Sequence, residues 1–298
     1  MNDVMVKTFY KQREEFNQMT NARQKTLSFP KGVIEYQNIT YSTQHEAHRF
    51  DIFRPEGKDN ETLPVIINVH GGGMILGNKE FNRYFCAQIS SMGFLVFSIE
   101  FRLVPEFQVY DQYADLSTAM DFIRELLPKY HGDPDRVYLA GDSGGAYLIV
   151  YTIAMQKCKA LAEAAHVTPS TLNIRALGLI SGMFYTTKFD KIGLFMPKYL
   201  YGQEYKKGAF APYVNPEHPD IVTSLPPCYL ITSDDDNLQH YTLNFEKALT
   251  KHQVPHELVN YPKKPNNRKL THAFSVFYPF MDESIEVITS MLEFFRKH

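Results

Sequence analysis

The chain has 298 residues, 44% hydrophobic and 21% charged, with a formal net charge of -2. That length suits one large α/β domain or two small ones, and the composition is ordinary for a globular protein. So weak a net charge excludes a global field that would recruit nucleic acid or an anionic membrane.

Residues 4–25 set Val6, Phe9, Tyr10, Phe16 and Met19 among charges, which predicts an amphipathic helix packed on its own domain. Its polar face is not basic enough for a membrane-surface helix. Residues 33–42 and 48–54 read as two strands of a hairpin or meander. His45 and His48 lie between them at i, i+3 with no third metal ligand in view. Leu63 to Val69 is the first fully apolar strand, and it runs into His70-Gly71-Gly72-Gly73. Three successive glycines let backbone N–H groups turn toward an anion. A phosphate-loop reading fails, because Gly71-x-Gly73-x-x lands on Leu76 and no Gly-Lys-Ser/Thr follows. The remaining functional reading is half of an oxyanion hole.

Residues 83–92 read as a helix ended by Gly93, residues 94–99 as a buried strand, and Phe101 to Glu106 as a loop. Asp111 to Tyr130 places Leu116, Ala119, Phe122, Ile123 and Leu126 on one side of a long helix, closed by His131-Gly132-Asp133-Pro134. Arg136 to Ala140 is a short buried strand, and Ala146 to Ala154 is a longer apolar run that reads as a helix. Between them stands Gly141-Asp142-Ser143-Gly144-Gly145. Strand, sharp turn, helix is the context of a G-x-S-x-G nucleophile elbow. Ser143 would stand at the strand's end beside the free N–H groups of a helix N-terminus.

Ile174 to Ile180 is the next strand. Residues 184–224 then break the rhythm: they are rich in Tyr, Phe, Lys and Pro and carry no clear strand. An insertion there would overhang the C-terminal edge of the sheet, where α/β proteins place their sites. Residues 184–224 and 1–30 are therefore expected to form a lid. Pro227 to Thr232 is a strand ending in Ser233-Asp234-Asp235-Asp236, followed by a helix from Leu238 to Lys251 and a last strand from His256 to Tyr261. Lys263-Lys264 to Arg268-Lys269 reads as a solvated basic loop. Leu270-Thr271-His272-Ala273-Phe274 and a final helix from Asp282 to Phe295 complete the chain.

The strand–helix alternation predicts a mostly parallel sheet with helices on both faces. His70-Gly71-Gly72, Ser143, the Asp234-Asp235-Asp236 run and His272 all fall just past strand C-termini, and Ser, then Asp, then His is the order of an α/β-hydrolase. The chain resembles the hormone-sensitive-lipase-like esterases of that fold. His70-Gly71-Gly72-Gly73 matches their H-G-G-G, and Gly141-Asp142-Ser143-Gly144-Gly145 is similar to G-D-S-A-G with Gly144 in place of Ala. Phe101-Arg102-Leu103-Val104-Pro105-Glu106 resembles Y-R-L-A-P-E, Asp236-Asn237-Leu238 resembles D-P-L, and His272-Ala273-Phe274 resembles H-G-F.

The resemblance implies a single α/β-hydrolase domain over residues 1–298, with a mostly parallel central sheet, helices on both faces and a small lid. It implies Ser143 as nucleophile, His272 as base and Asp236 as the acid that orients the imidazole. The N–H groups of Gly71, Gly72 and Gly144 would bind the oxyanion, with His70 bracing their loop. Asp235 stays open as a rival acid, since neighbouring residues alternate direction near a strand's end. His256 begins a strand at the wrong sheet edge, and His240 sits on the same element as Asp236. The implied activity is hydrolysis of short-chain acyl or aryl esters, acetylated small molecules included, with no metal and no cofactor. An arylformamidase is the alternative, and a non-catalytic binding protein on a hydrolase scaffold is a third reading. The expected partner is a small-molecule ester, without nucleic acid or stable membrane association; the assembly is left open, a dimer among the options. Cys86, Cys158 and Cys228 fit no disulfide framework, and Met1-Asn2-Asp3-Val4 opens no signal-peptide core, so the expected location is cytoplasmic.

Overall fold

A computed structural model of the chain describes residues 4–263 and 268–298. Lys264, inside the expected basic loop, lies outside the described residues. Among those residues the strands β1 (Val33–Thr40), β2 (Arg49–Pro55), β3 (Leu63–Val69), β4 (Leu95–Ile99), β5 (Gly132–Asp142), β6 (Leu177–Ile180), β7 (Cys228–Ser233) and β8 (His256–Tyr261) form one sheet. Its order is β1-β2-β4-β3-β5-β6-β7-β8. β2 runs antiparallel to β1 and β4, and every other neighbouring pair is parallel. All strands from β3 to β8 therefore end at the same edge.

The apolar runs are continuous because both sheet faces are covered. Alternate residues feed two cores. Val65, Ile67, Leu95, Phe97, Val137, Leu139, Leu177, Leu179 and Leu230 pack on one face. There they meet α3 (Val109–Leu126), α4 (Gly144–Lys157), α5 (Lys159–Ala165) and α9 (Gln239–Lys251). Ile66, Val96, Tyr138, Ala140, Ile180, Tyr229 and Ile231 pack on the other. That face is covered by α2 (Arg83–Ser91), α10 (Phe274–Phe277) and α11 (Asp282–Lys297). The ring of Phe295 stacks on Tyr138 at 4.7 Å.

Two expected boundaries shift for local reasons. The long helix stops at Leu126 rather than Tyr130, because Pro128 cannot continue it and Leu127–Tyr130 tightens into a 3-10 turn. The strand before the elbow runs from Gly132 to Asp142, which takes Gly141 and Asp142 into the sheet.

Helix α1 (Val4–Gln24) crosses the carboxyl edge. Its Arg13 donates to the carbonyls of Ile75 (3.0 Å) and Val104 (2.9 Å) and pairs with Glu106 at 2.8 Å. Phe9 is buried edge-on to Tyr199 at 5.1 Å, whereas Tyr10 and Met19 face outward. Residues 184–224 hold no strand but three short α-helices, α6 (Lys191–Phe195), α7 (Pro197–Tyr201) and α8 (Pro219–Val222), and a 3-10 helix (Ala211–Val214). A chain of buried hydroxyls fastens them to the body: Tyr113 donates to Tyr147 (2.9 Å), Tyr147 bonds Tyr201 (2.6 Å), and Tyr201 bonds Thr186 (2.6 Å). No helix among the described residues is long and apolar enough to cross a membrane.

Candidate active site

Ser143 closes β5 and caps α4 with φ 51° and ψ -116°, a left-handed conformation that costs a non-glycine residue energy. Both its main-chain groups are tied to the end of β6 and the segment just after it. Its N–H donates to Ile180 O at 2.9 Å, and its carbonyl accepts from Met183 N at 3.0 Å. The tight turn depends on Gly145, where a Cβ would sit 2.1 Å from Val69 O. Any side chain there would drive α4 off β3.

The loop after β3 lies directly against this elbow. Gly72 and Gly73 take φ of 109° and 59°. A Cβ on Gly144 would meet Gly73 Cα, Gly73 N and Met74 N, each at 3.0 Å. Among the described residues the N–H groups of Gly72 and Gly73 find no acceptor. The N–H of Gly144 opens α4, where first-turn groups lack intrahelical partners. The N–H groups of Gly72 and Gly73 thus lie in a loop packed against the residue that follows Ser143.

Gly71 does not join them, which corrects the sequence expectation. Its N–H donates to Asp142 Oδ1 at 3.0 Å and is already satisfied. The same oxygen accepts from Asn82 Nδ2 at 2.8 Å, and Asn82 also donates to Asn68 Oδ1 at 3.1 Å. All these side chains are buried. Burial pushes the Asp142 carboxyl up; the Asn82 bond, the charges of His70 and His272 and the Gly71 N–H pull it only part of the way back. Sequence reasoning missed this cluster. Asn68, a lone polar residue inside an apolar strand, and the Asp inside the elbow were the available signals. His70 stacks on Phe101 at 4.3 Å, and its Nδ1–H donates to Gly71 O at 2.7 Å. Burial lowers its pKa, but the Glu100 carboxylate, 3.6 Å from Nε2, outweighs that and leaves it raised.

On the other side of Ser143, past β7 and β8, His272 Nδ1 lies 2.7 Å from Asp236 Oδ1. Asp236 Oδ1 also accepts from Leu238 N (2.8 Å), and Oδ2 accepts from Thr232 Oγ1 (3.2 Å). Burial pushes the Asp236 carboxyl up. The His272 bond and charge, with Ser181 and the Leu238 N–H, overcome it and hold the group below the usual carboxylate range. Ser181 Oγ accepts from Ala273 N at 3.0 Å, which pins the His272 loop to the β6 end that also holds Ser143. Ser181 and Thr232 carry no motif and were not anticipated.

The rivals fall elsewhere. Asp235 points to Lys263 Nζ at 3.8 Å, and Asp234 accepts from Lys263 N at 3.1 Å. His256 lies 3.3 Å from Glu246, and the His240 ring packs against Tyr241. His48 is buried on Asp115 at 3.0 Å, and His45 packs edge-on to Phe107.

Comparison with known proteins agrees with this architecture. A family model described as alpha/beta hydrolase fold matches residues 66–268. A probable isoprenylcysteine alpha-carbonyl methylesterase of Arabidopsis thaliana is 30% identical over 209 residues, 67% of this chain and 44% of that protein. The 3-O-acetylpapaveroxine carboxylesterase of Papaver somniferum is 34% identical over 113 residues, 32% of this chain and 35% of that protein. The chain spans about half the length of the first curated relatives it matches, 44%, 52% and 49%. Among solved structures, esterase B of Lactobacillus rhamnosis inhibited by a tributyrin phosphonate superposes with a TM-score of 0.92 at 23% identity, covering 100% of this chain and 96% of that one. A bacterial heroin esterase gives 0.72 at 23% identity, covering 96% and 90%. With its elbow, its glycine loop and its sheet order, the chain belongs to the α/β-hydrolase family, in the division that contains the hormone-sensitive-lipase-like esterases.

Proposed function

We propose that this protein is a serine carboxylesterase acting on short-chain acyl or aryl esters, acetylated small molecules among them. The observation that carries the reading is the 2.7 Å pair of His272 and Asp236, anchored through Ser181 to the strand end that holds Ser143. With Nδ1–H held by the carboxylate, Nε2 keeps its lone pair and can accept a proton.

Ser143 Oγ attacks the ester carbonyl carbon while His272 takes its proton. The oxygen that becomes negative is received by the N–H groups of Gly72, Gly73 and Gly144. Preorganised donors of this kind are worth roughly 2.7–4 kcal/mol each in hydrolases where one has been removed. The tetrahedral species collapses, the C–O bond breaks, and the alcohol leaves with the proton from His272. Water then attacks the acyl-enzyme with His272 again as base, releasing the acid and regenerating Ser143. Asp236 stays ionised throughout and stabilises the imidazolium. His70 and Asp142 brace the glycine loop, and α1 with residues 184–224 closes over the acyl group. The names of the relatives, a methylesterase and a carboxylesterase, support ester hydrolysis.

A fluorophosphonate probe tests this. It should label the wild-type chain and not Ser143→Ala, and the variant should lose roughly 10⁴–10⁶ of the rate on p-nitrophenyl acetate. A variant that keeps a tenth of wild-type turnover removes Ser143 from the mechanism.

A further inference from the structure

We propose that the tip of the 184–224 insertion and the end of α9 form a docking face for an anionic lipid bilayer. Phe189 is 95% exposed, and Leu194 and Phe195 beside it are 57% and 48% exposed. Apolar groups this open, and this close together, mark an interaction surface. The turn that presents them is built. Asp190 Oδ1 accepts from Gly193 N at 2.9 Å, and its other oxygen accepts from the Tyr241 hydroxyl. The rings are therefore held out from the body of the protein.

Lysines surround them. Lys188 and Lys206 line a cavity of about 320 Å³ together with Phe189, Leu194 and Val214. Lys188 also borders a second cavity, of about 220 Å³, with Lys247, Lys251 and His252. One residue thus joins an apolar tip to a basic shelf on α9. Of the acids nearby, Glu204 is offset by Lys207 at 2.7 Å; Asp190 and Glu217, held by the Tyr241 and Tyr185 hydroxyls, keep their charge, and Lys188, Lys206, Lys247 and Lys251 outnumber them. The near-zero charge of the whole chain hides this segregation. Apolar side chains that enter the headgroup boundary, ringed by cations that meet anionic headgroups, are the chemistry of peripheral membrane binding. A protein partner fits less well, because interface cores are depleted in lysine.

Sedimentation of the full chain with vesicles tests the proposal. It should pellet with phosphatidylcholine and phosphatidylglycerol mixed in equal parts, at least tenfold more than with phosphatidylcholine alone, and molar salt should release it. Phe189→Ser with Leu194→Ser, and separately Lys247→Glu with Lys251→Glu, should each lower binding about tenfold. The lysine variant should still hydrolyse a soluble ester, which shows it folded, and Ser143→Ala should bind like wild type. Absence of binding to the mixed vesicles, equal binding to neutral vesicles, or binding kept by both double variants overturns the proposal. So does a vesicle-free dimer in light scattering that the Phe189→Ser change dissolves.

Discussion

Replacing Asp142 by alanine isolates what holds the glycine loop against the nucleophile. Two buried donors end on Asp142 Oδ1: Gly71 N at 3.0 Å and Asn82 Nδ2 at 2.8 Å. An orphaned buried donor costs about 1–3 kcal/mol. Gly71 loses its acceptor entirely, while Asn82 keeps its second bond to Asn68, so the loss in folding stability should be about 2–4 kcal/mol. The effect on catalysis should be larger than a change in stability alone explains. Freed from Asp142, the loop no longer fixes Gly72 and Gly73 against Gly144, and a misplaced oxyanion donor costs roughly 10²–10³ in kcat. Asn82→Ala removes one donor and leaves the Gly71 bond intact, so it should share the stability loss but keep most of the activity. Denaturant unfolding and p-nitrophenyl acetate kinetics on both variants read the two quantities separately. If Asp142→Ala loses stability as expected yet stays within about threefold of wild-type kcat, well short of the loss of an oxyanion donor, the carboxylate does not position the loop.

Asp236→Asn should lower kcat/KM by roughly 10⁴ through the wrong imidazole tautomer, and Asp235→Asn should leave it near wild type; the opposite ranking moves the acid to Asp235. Because the Asp236 carboxyl is held below the usual range, it adds stability above its unfolded pKa near ~3.9 and loses it as pH falls through the lower folded value. Thermal midpoints of wild type and Asp236→Asn should therefore converge on acidification below about pH 4, and a widening gap would reject the assignment. Tyr201→Phe strands the Thr186 hydroxyl and leaves Tyr147 only its bond from Tyr113, so it should cost about 1–3 kcal/mol, read by calorimetry; an unchanged midpoint would mean that the hydroxyl chain does not form. In a p-nitrophenyl ester series, acetate and butyrate should outpace palmitate in kcat/KM, and a maximum at the long chain argues against a closed acyl pocket.

Strand and helix periodicity was legible because each strand is buried on two faces and each long helix on one, and both patterns survive in the residue order. The elbow was legible because its geometry demands glycine at fixed offsets. The choice between Asp235 and Asp236 was not. It turns on which carboxyl faces a histidine 36 residues further on, and in the fold Asp236 meets His272 while Asp235 turns to Lys263. The Asn82–Asp142 bond joins residues 60 apart, and Gly71's role changes with it. Such pairings leave no periodic trace. Helix α10, four residues long, is too short to announce itself, and the helices of the insertion owe their form to tyrosine hydroxyls reaching α3 and α4.

That hydroxyl chain bears on how fast a substrate can enter. Swinging the whole insertion aside would break three bonds that cross to the body: Tyr147 to Tyr201, Tyr151 to the Tyr213 carbonyl, and Tyr241 to Asp190. At about 1–3 kcal/mol for each stranded group, such a state would be populated well below one molecule in a hundred. The turn from Lys188 to Phe195 is tied in the same way, since Asp190 holds both the Gly193 N–H and the Tyr241 hydroxyl. An insertion tied at points along its length favours small side-chain movements over the swing of a hinged domain as the way a substrate enters.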